Sequence, residues 1–145
     1  EVASGTHWAA LSGIAYAAEN GADVINCSFV TDSSTMFEYV LNIAKDNDAV
    51  VVAAAGYRDD LDVDYKYPAC SDGVICVSAS DENDECVATY GAQNVDLFAP
   101  GYATSYSTPL VTSTAALLKA LKPDASRDEI KAAIMAGVIT PPPPA

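Results

Sequence analysis

Hydrophobic residues recur at helical spacing near the start of the chain. They fall on one face of a 3.6-residue helix, at Leu11, Ile14, Ala15 and Ala18. This pattern predicts a helix from Trp8 to Asn20, with Gly21 as its C-terminal stop. The apolar run that follows, Val24 to Val30, has the length of a β-strand.

Three further apolar runs of strand length occupy the middle of the chain. The first contains three consecutive valines and suits a strand that is buried on both faces. A helix is predicted before it, because Thr35 and Glu38 form a capping-box pattern, and this helix should end near Lys45. The three predicted strands are Ala49–Ala55, Gly73–Ser78 and Asn94–Phe98.

Two helices and a proline-rich tail are predicted for the last third. A long helix rich in Ala and Leu runs from Ser105 to Leu121, with Pro109 near its start, where proline is tolerated. Ser126 and Glu129 form a second capping box, which opens a helix to about Ala136. The boundaries that follow are a domain over residues 1–138 and a polyproline tail over residues 139–145.

This order of elements sets the fold class. Strands that alternate with helices imply crossover connections and a mostly parallel sheet with helices on both faces. The prediction is therefore an α/β fold without an internal repeat or a second domain. Half of the residues are hydrophobic, which suits a 145-residue chain with a core of its own.

Charge and hydropathy restrict the classes of binding partner and the cellular locations that fit the chain. Seven basic residues against twenty acidic ones give a net charge of −13, which repels nucleic acid and anionic lipid and favours solubility. No apolar run approaches the roughly 20 residues that a membrane-spanning helix requires. No signal peptide is recognisable at Glu1, although a mature chain whose leader was removed fits equally well. The location therefore stays open, with secreted and organellar sites both compatible.

The cysteines allow three fully paired connectivities. Cys27 and Cys76 lie inside apolar runs, where a free thiol behaves as a small buried hydrophobe. Cys70 and Cys86 lie in polar loops and are the favoured pair if a disulfide forms. Because no Cys-x-x-Cys occurs and His7 is the only histidine, neither a metal site nor a cofactor is expected.

An acidic segment resembles the first half of a calcium loop, with Asp60, Asp62 and Asp64 at alternating positions. The sixth position, which needs glycine, is Tyr65, and the twelfth, which needs glutamate, is Ser71. A solvated acidic loop is the better interpretation.

Three segments, in order, resemble the subtilase family of serine proteases, and specifically its carboxyl-terminal half. The first resembles the helix and strand of the family's substrate-binding region. The second resembles the segment that leads to the oxyanion asparagine and the strand beyond it, and the third the approach to the nucleophile and its helix. These segments are Ile14–Phe29; Val51–Gly56 with Tyr67–Ala69 and Val74–Ser80; and Asp96–Gly101 with Thr104, Ser105, Pro109 and Val111. The resemblance implies a truncated subtilisin-like three-layer fold.

The resemblance also implies the family's active site, but this chain differs from it at several positions. The family's Gly-Thr-Ser-Met-Ala-x-Pro motif matches residues 103–109 and places the nucleophile at Ser105, but its glycine is Ala103. Tyr57 stands where the family has the oxyanion asparagine, and a connection of two residues replaces a longer segment after Gly101. The family's acid has no counterpart in the chain, and His7 reads as a helix-terminus residue rather than the base.

Two hypotheses follow. The favoured one is a non-catalytic subtilisin-like remnant that serves as a structural or binding subunit of a larger assembly, with Ser105 as a residue that caps a helix N-terminus. The alternative is the carboxyl-terminal piece of an active serine endopeptidase, with Ser105 as nucleophile and the acid and base supplied by another segment or chain.

A protein partner is expected at one strand. In the family's fold the strand that matches Val24–Phe29 has a neighbour on each side, and only one of them is found in this chain. The strand should therefore lie at an edge, with neither lysine nor proline to discourage pairing. We expect another polypeptide, a second copy, or the chain's own first residues to cover it. Asn26 begins a glycosylation sequon, but its predicted place in a buried strand argues against modification.

Overall fold

The computed structural model describes residues 7–31, 35–56, 66–88 and 95–139. Four helices and four strands occur in these ranges, in the order that the hydrophobic pattern predicts. They are α1 (His7–Glu19), β1 (Val24–Cys27), α2 (Thr35–Asp46), β2 (Val50–Ala54), β3 (Ile75–Ser80), β4 (Leu97–Pro100), α3 (Thr104–Leu121) and α4 (Arg127–Ala136).

The four strands form one parallel sheet in the order β1-β2-β3-β4. Val24 of β1 lies opposite Val50 of β2, and Val77 of β3 lies opposite Leu97 of β4. Of the strands described, β1 pairs with β2 alone and therefore forms an edge, as the sequence predicts.

Helices cover both faces of the sheet, which confirms the three-layer α/β prediction. Alternate strand residues point to opposite faces. Ile25, Val51 and Cys76 pack with α1 and α2 in one core. Val50, Ile75 and their neighbours pack with α3 and α4 in a second core on the other face.

Five predicted strand boundaries are wrong by two or three residues, including the ends of β3 and β4, which extend to Ser80 and Pro100. β1 ends at Cys27 rather than Val30, because Thr31 leaves the sheet and exchanges backbone hydrogen bonds with Tyr67. β3 starts at Ile75 rather than Gly73, since Gly73 has a φ of +77° in the preceding turn. The strand predicted at Asn94–Phe98 begins only at Leu97.

The structure confirms one of the two predicted capping boxes and does not show the other. Ser126 caps α4 with both reciprocal hydrogen bonds to Glu129, which confirms that prediction. Thr35 is the first residue of α2, and the residue before it lies outside the described ranges. The Glu38 carboxylate accepts a hydrogen bond of 3.0 Å from the Ser71 hydroxyl.

None of the helices in these ranges is long and apolar enough to cross a membrane.

Candidate functional site

The carboxyl ends of the four strands meet at one edge of the sheet, where ligands bind in open parallel sheets. A cleft of about 730 Å³ opens there. Its walls come from the residues that follow β1, β2 and β3, from the end of β4, and from the first residues of α3.

Ser105, which the sequence predicts at the nucleophile position, lines this cleft. It is the second residue of α3, is half-buried and faces the cleft. The N-cap is Ala103, in an extended conformation with a φ of −155°, and no side chain caps the helix. The capping role considered for Ser105 is therefore wrong, because its hydroxyl bonds to none of the backbone amides at this terminus.

Thr104 fixes the start of α3 to the end of β2. Its buried hydroxyl donates a hydrogen bond of 2.8 Å to the carbonyl of Gly56. Gly56 has a φ of +123°, a conformation that residues with a Cβ rarely adopt. The Thr104 carbonyl accepts a bond of 2.6 Å from the Thr108 hydroxyl. These contacts set the position of Ser105 relative to the carboxyl edge.

The short connection between β4 and α3 is closely packed. The Gly101 amide donates to the Ser80 carbonyl at 3.0 Å, and the fully buried Ser107 hydroxyl donates to the Pro100 carbonyl at 3.2 Å. A Cβ on Gly101 would lie 2.5 Å from Ser107 Oγ. A larger residue at position 101 therefore fits this path only if the Ser107 side chain moves.

We expect Gly101→Ala to lower the free energy of unfolding by about 1–3 kcal/mol, because the added methyl overpacks the site. Ser107→Ala in the same chain should recover most of that loss, since it removes the clashing oxygen. Urea titration measures both effects. Gly137→Ala is the matched control, because the nearest atom to its added Cβ lies at 3.4 Å. Equal losses at Gly101 and Gly137 would contradict the prediction.

Acidic side chains form one wall of the cleft. Asp81, Glu82 and Asp84 line it directly after β3. The Asp81 carboxylate accepts backbone hydrogen bonds from Asn83 at 2.8 Å and Glu85 at 3.0 Å. These bonds lower the pKa of Asp81, so its carboxylate is ionised at neutral pH. Sequence reasoning missed this wall, although the acidic run follows a predicted strand end and could have indicated it.

His7, the histidine weighed as a catalytic base, lies apart from Ser105. His7 is the first residue of α1, and its Nε2 is hydrogen-bonded to the Thr31 hydroxyl. Its ring packs edge-on against Phe37, with centroids 6.2 Å apart, in the α1–α2 layer. The helix-terminus interpretation of His7 is confirmed. Tyr57 and the acidic residues Asp60, Asp62 and Asp64 lie outside the described residues.

The cysteines form no disulfide with one another, and two of them are deeply buried. All four are free thiols, including Cys70 and Cys86, which the sequence favours as a pair. Burial raises the pKa of Cys27 and of Cys76 to about 12, so both stay protonated at neutral pH. Within the described ranges, no three His, Cys, Asp or Glu side chains are grouped to hold a metal ion.

Residues 3–138 match the model of the subtilase family. The chain is 38% identical over 149 residues to thermitase from Thermoactinomyces vulgaris, an alignment that covers 90% of this chain and 52% of thermitase. It is 34% identical over 148 residues to subtilisin DY from Bacillus licheniformis, with 88% of this chain and 54% of that protein covered. The chain thus spans about half the length of these curated relatives.

Solved structures resemble the fold closely. A protease from Pseudoalteromonas arctica PAMC 21717 superposes with a TM-score of 0.86 at 26% identity, over 94% of this chain and 53% of that one. The prenylagaramide maturation protease PagA superposes with a TM-score of 0.84 at 25% identity, over 99% of this chain and 62% of that one.

Proposed function

The chain belongs to the subtilase family, and from that premise we propose that it is a non-catalytic member that serves as a structural or binding subunit of a larger assembly. In this role the cleft and the sheet edge bind polypeptide, and Ser105 does not attack it. In this proposal the chain keeps the fold of a protease but does not hydrolyse peptide bonds.

The surroundings of Ser105 carry this proposal. A serine hydroxyl is a poor nucleophile unless an adjacent base takes its proton. Across the described part of the chain, the Ser105 hydroxyl has no hydrogen-bond partner. The sequence holds a single histidine, His7, and it packs in the layer on the far side of the sheet from α3.

Departures within the matched segments support the same role. Tyr57 replaces the asparagine that donates to the oxyanion in the family. Removal of one such donor from a subtilisin costs about a hundred- to a thousand-fold in rate. Ala103 replaces the glycine before Thr104 and Ser105. For Ser105 to act efficiently, the site would need a base that takes its proton and a hydrogen-bond donor to the oxyanion in place of Tyr57.

The open edge of β1 supports a binding role. Val24 lies opposite Val50, and the Val50 amide bonds to the Asp23 carbonyl at 2.9 Å. In a parallel ladder with this register, the backbone groups of Val24 and Asn26 point away from β2. We propose that a protein partner pairs with this edge, within the Val24–Phe29 segment.

A second candidate function is a serine endopeptidase of which this chain is the carboxyl-terminal piece. One observation favours it. Ser105 faces the cleft from a helix N-terminus, where backbone N–H groups favour negative charge, and its hydroxyl is free to meet a base. The acid and base would then come from another segment or another chain.

Labelling with a fluorophosphonate separates the two functions. We expect the chain to remain unlabelled and inert toward casein and peptide esters, and Ser105→Ala to behave identically, because no base activates the hydroxyl. Mass spectrometry of the intact chain and a fluorogenic casein assay measure both outcomes. Labelling that disappears in Ser105→Ala, together with turnover, would favour the endopeptidase instead.

Tyr57→Asn provides the accompanying variant. It restores the family's amide at the oxyanion position, yet an oxyanion donor cannot take the proton from Ser105. We therefore expect no gain in hydrolysis, and appreciable activity in this variant would contradict the proposed loss of the base.

A further inference from the structure

The lining of the cleft at the carboxyl edge changes from carbon in its interior to carboxylates near solvent. Ala54 and Ala88 line the cleft and are buried, whereas Glu82 and Asp84 line it and are exposed. Further apolar residues of the lining are Phe29, Val30, Val87 and Pro100. A ligand in the cleft therefore meets apolar surface inside and negative charge toward solvent.

No basic side chain balances the acidic wall, which consists of Asp81, Glu82 and Asp84. Among the described residues that line the cleft there is neither lysine, arginine nor histidine. Within the described ranges, the three carboxylates of the acidic wall form no ion pair. Two lysines of the chain do form ion pairs, but their partners Asp48 and Asp96 precede β2 and β4 at the opposite edge of the sheet.

The start of α3 brings a positive charge to the cleft, but a smaller one. Thr104, the first residue of α3, lines the cleft. The amino terminus of a helix carries roughly half of an elementary charge. Three carboxylates outweigh this partial charge, so the electrostatic potential of the cleft favours a cationic ligand.

An aromatic ring adds a second attraction for a cation. Tyr102 lines the cleft and is 75% exposed, and its ring packs on that of Tyr106 with the centroids 4.3 Å apart. The face of an aromatic ring attracts the charged groups of lysine and arginine. Tyr102 therefore favours the same ligand charge as the acidic wall, by a different interaction.

We propose that the cleft binds a lysine or arginine side chain of a polypeptide, with its aliphatic stem against the apolar interior and its charged end at the acidic wall. Lysine and arginine combine these two kinds of surface in one side chain. The inference rests on the binding role proposed above, for which it names the side chain that the cleft selects, and it does not depend on whether Ser105 is active.

Short peptides with blocked termini and a neutral dye test the proposal by fluorescence anisotropy. One has a central lysine between alanines, and the other has norleucine there, which keeps most of the stem and lacks the charge. At about 10 mM salt, where charges are weakly screened, the full chain should bind the lysine peptide at least about threefold more tightly. At about 1 M salt this preference should disappear.

The double variant Glu82→Gln with Asp84→Asn should lose the preference, because it removes two charges of the acidic wall while Asp81 keeps its bonds to the backbone. The matched control is Glu19→Gln with Asp46→Asn, which changes the net charge equally at two exposed positions of α1 and α2. The control should keep the wild-type preference. Lysine at both positions 82 and 84 should instead favour a peptide with a central glutamate, a gain that misfolding cannot produce.

Two results would overturn the inference and leave the binding role intact. They are equal affinity of the wild-type chain for the lysine and norleucine peptides, and equal loss of the preference in the cleft variant and its control. Binding of neither peptide would overturn the inference together with the cleft's part in the binding role. Cleavage of the lysine peptide that disappears in Ser105→Ala would contradict the non-catalytic role and support the charge preference.

Discussion

In the isolated chain, the backbone amides of Val24 and Asn26 should exchange with deuterium at least about a thousandfold faster than those of Ile25 and Cys27. The register of β1 with β2 directs the amides of Ile25 and Cys27 into the ladder, while those of Val24 and Asn26 point to the open edge. Exchange of ladder amides requires the strand to open, whereas edge amides meet solvent directly. Heteronuclear NMR spectra recorded after transfer into deuterated buffer measure all four amides in one sample.

The amides of Ile25 and Cys27 are the internal control for those of Val24 and Asn26, because all four belong to one strand. On addition of a polypeptide that pairs with β1, the Val24 and Asn26 amides should slow to the rates of their neighbours. Equal protection of all four in a dilute monomer would show that the edge is already covered. Repeating the measurement on a chain without residues 1–6 would then identify whether the chain's own first residues cover it.

Phe37→Ala should cost about 3–5 kcal/mol of the free energy of unfolding, a large share of the stability of a chain this size. Phe37 is completely buried in α2 and contacts the rings of His7 and Tyr67, with centroids 6.2 Å and 6.0 Å apart. Truncation removes both ring contacts and leaves a cavity between the α1–α2 layer and the loop that carries Tyr67. Urea titration followed by circular dichroism measures the loss.

The matched control for Phe37→Ala is Tyr39→Ala, two residues further along the same helix. Tyr39 is 64% exposed, so its truncation should change the free energy of unfolding by no more than about 0.5 kcal/mol. Similar losses for the two variants would indicate a general weakening of α2 and would contradict the packing role assigned to Phe37.

The sequence predicts the order of the elements well, because each buried strand is an apolar run and each helix shows its own periodicity. Val50–Ala54 illustrates this, since every residue of the strand is buried. Boundaries are predicted less well where polar residues enter a strand. Ser78 is fully buried and Ser80 is 4% exposed, yet serine at a strand end reads as a turn. The edge position of β1 follows from the family resemblance rather than from local pattern.

The candidate site is predicted only in part. The motif resemblance identifies Ser105, which the structure places in the cleft. The bond between Thr104 and Gly56 joins residues 48 positions apart, and no local pattern indicates such a contact. The same is true of Gly101, where an added Cβ would lie 2.5 Å from Ser107 Oγ in the following helix. Asn26, predicted to be buried in its strand, is exposed because its side chain lies at the edge and bonds to Thr112.

The strand order β1-β2-β3-β4 follows the order of the chain itself, and this has a consequence for how the protein is made. During synthesis each of the four described strands can pair with the preceding one as soon as it leaves the ribosome, because none of them is inserted between two earlier ones. Each pairing closes a loop of moderate length, which keeps its entropic cost low. Helix α3 emerges after all four strands and packs across the completed sheet. A sheet with this connectivity can therefore form progressively, one strand after another in chain order.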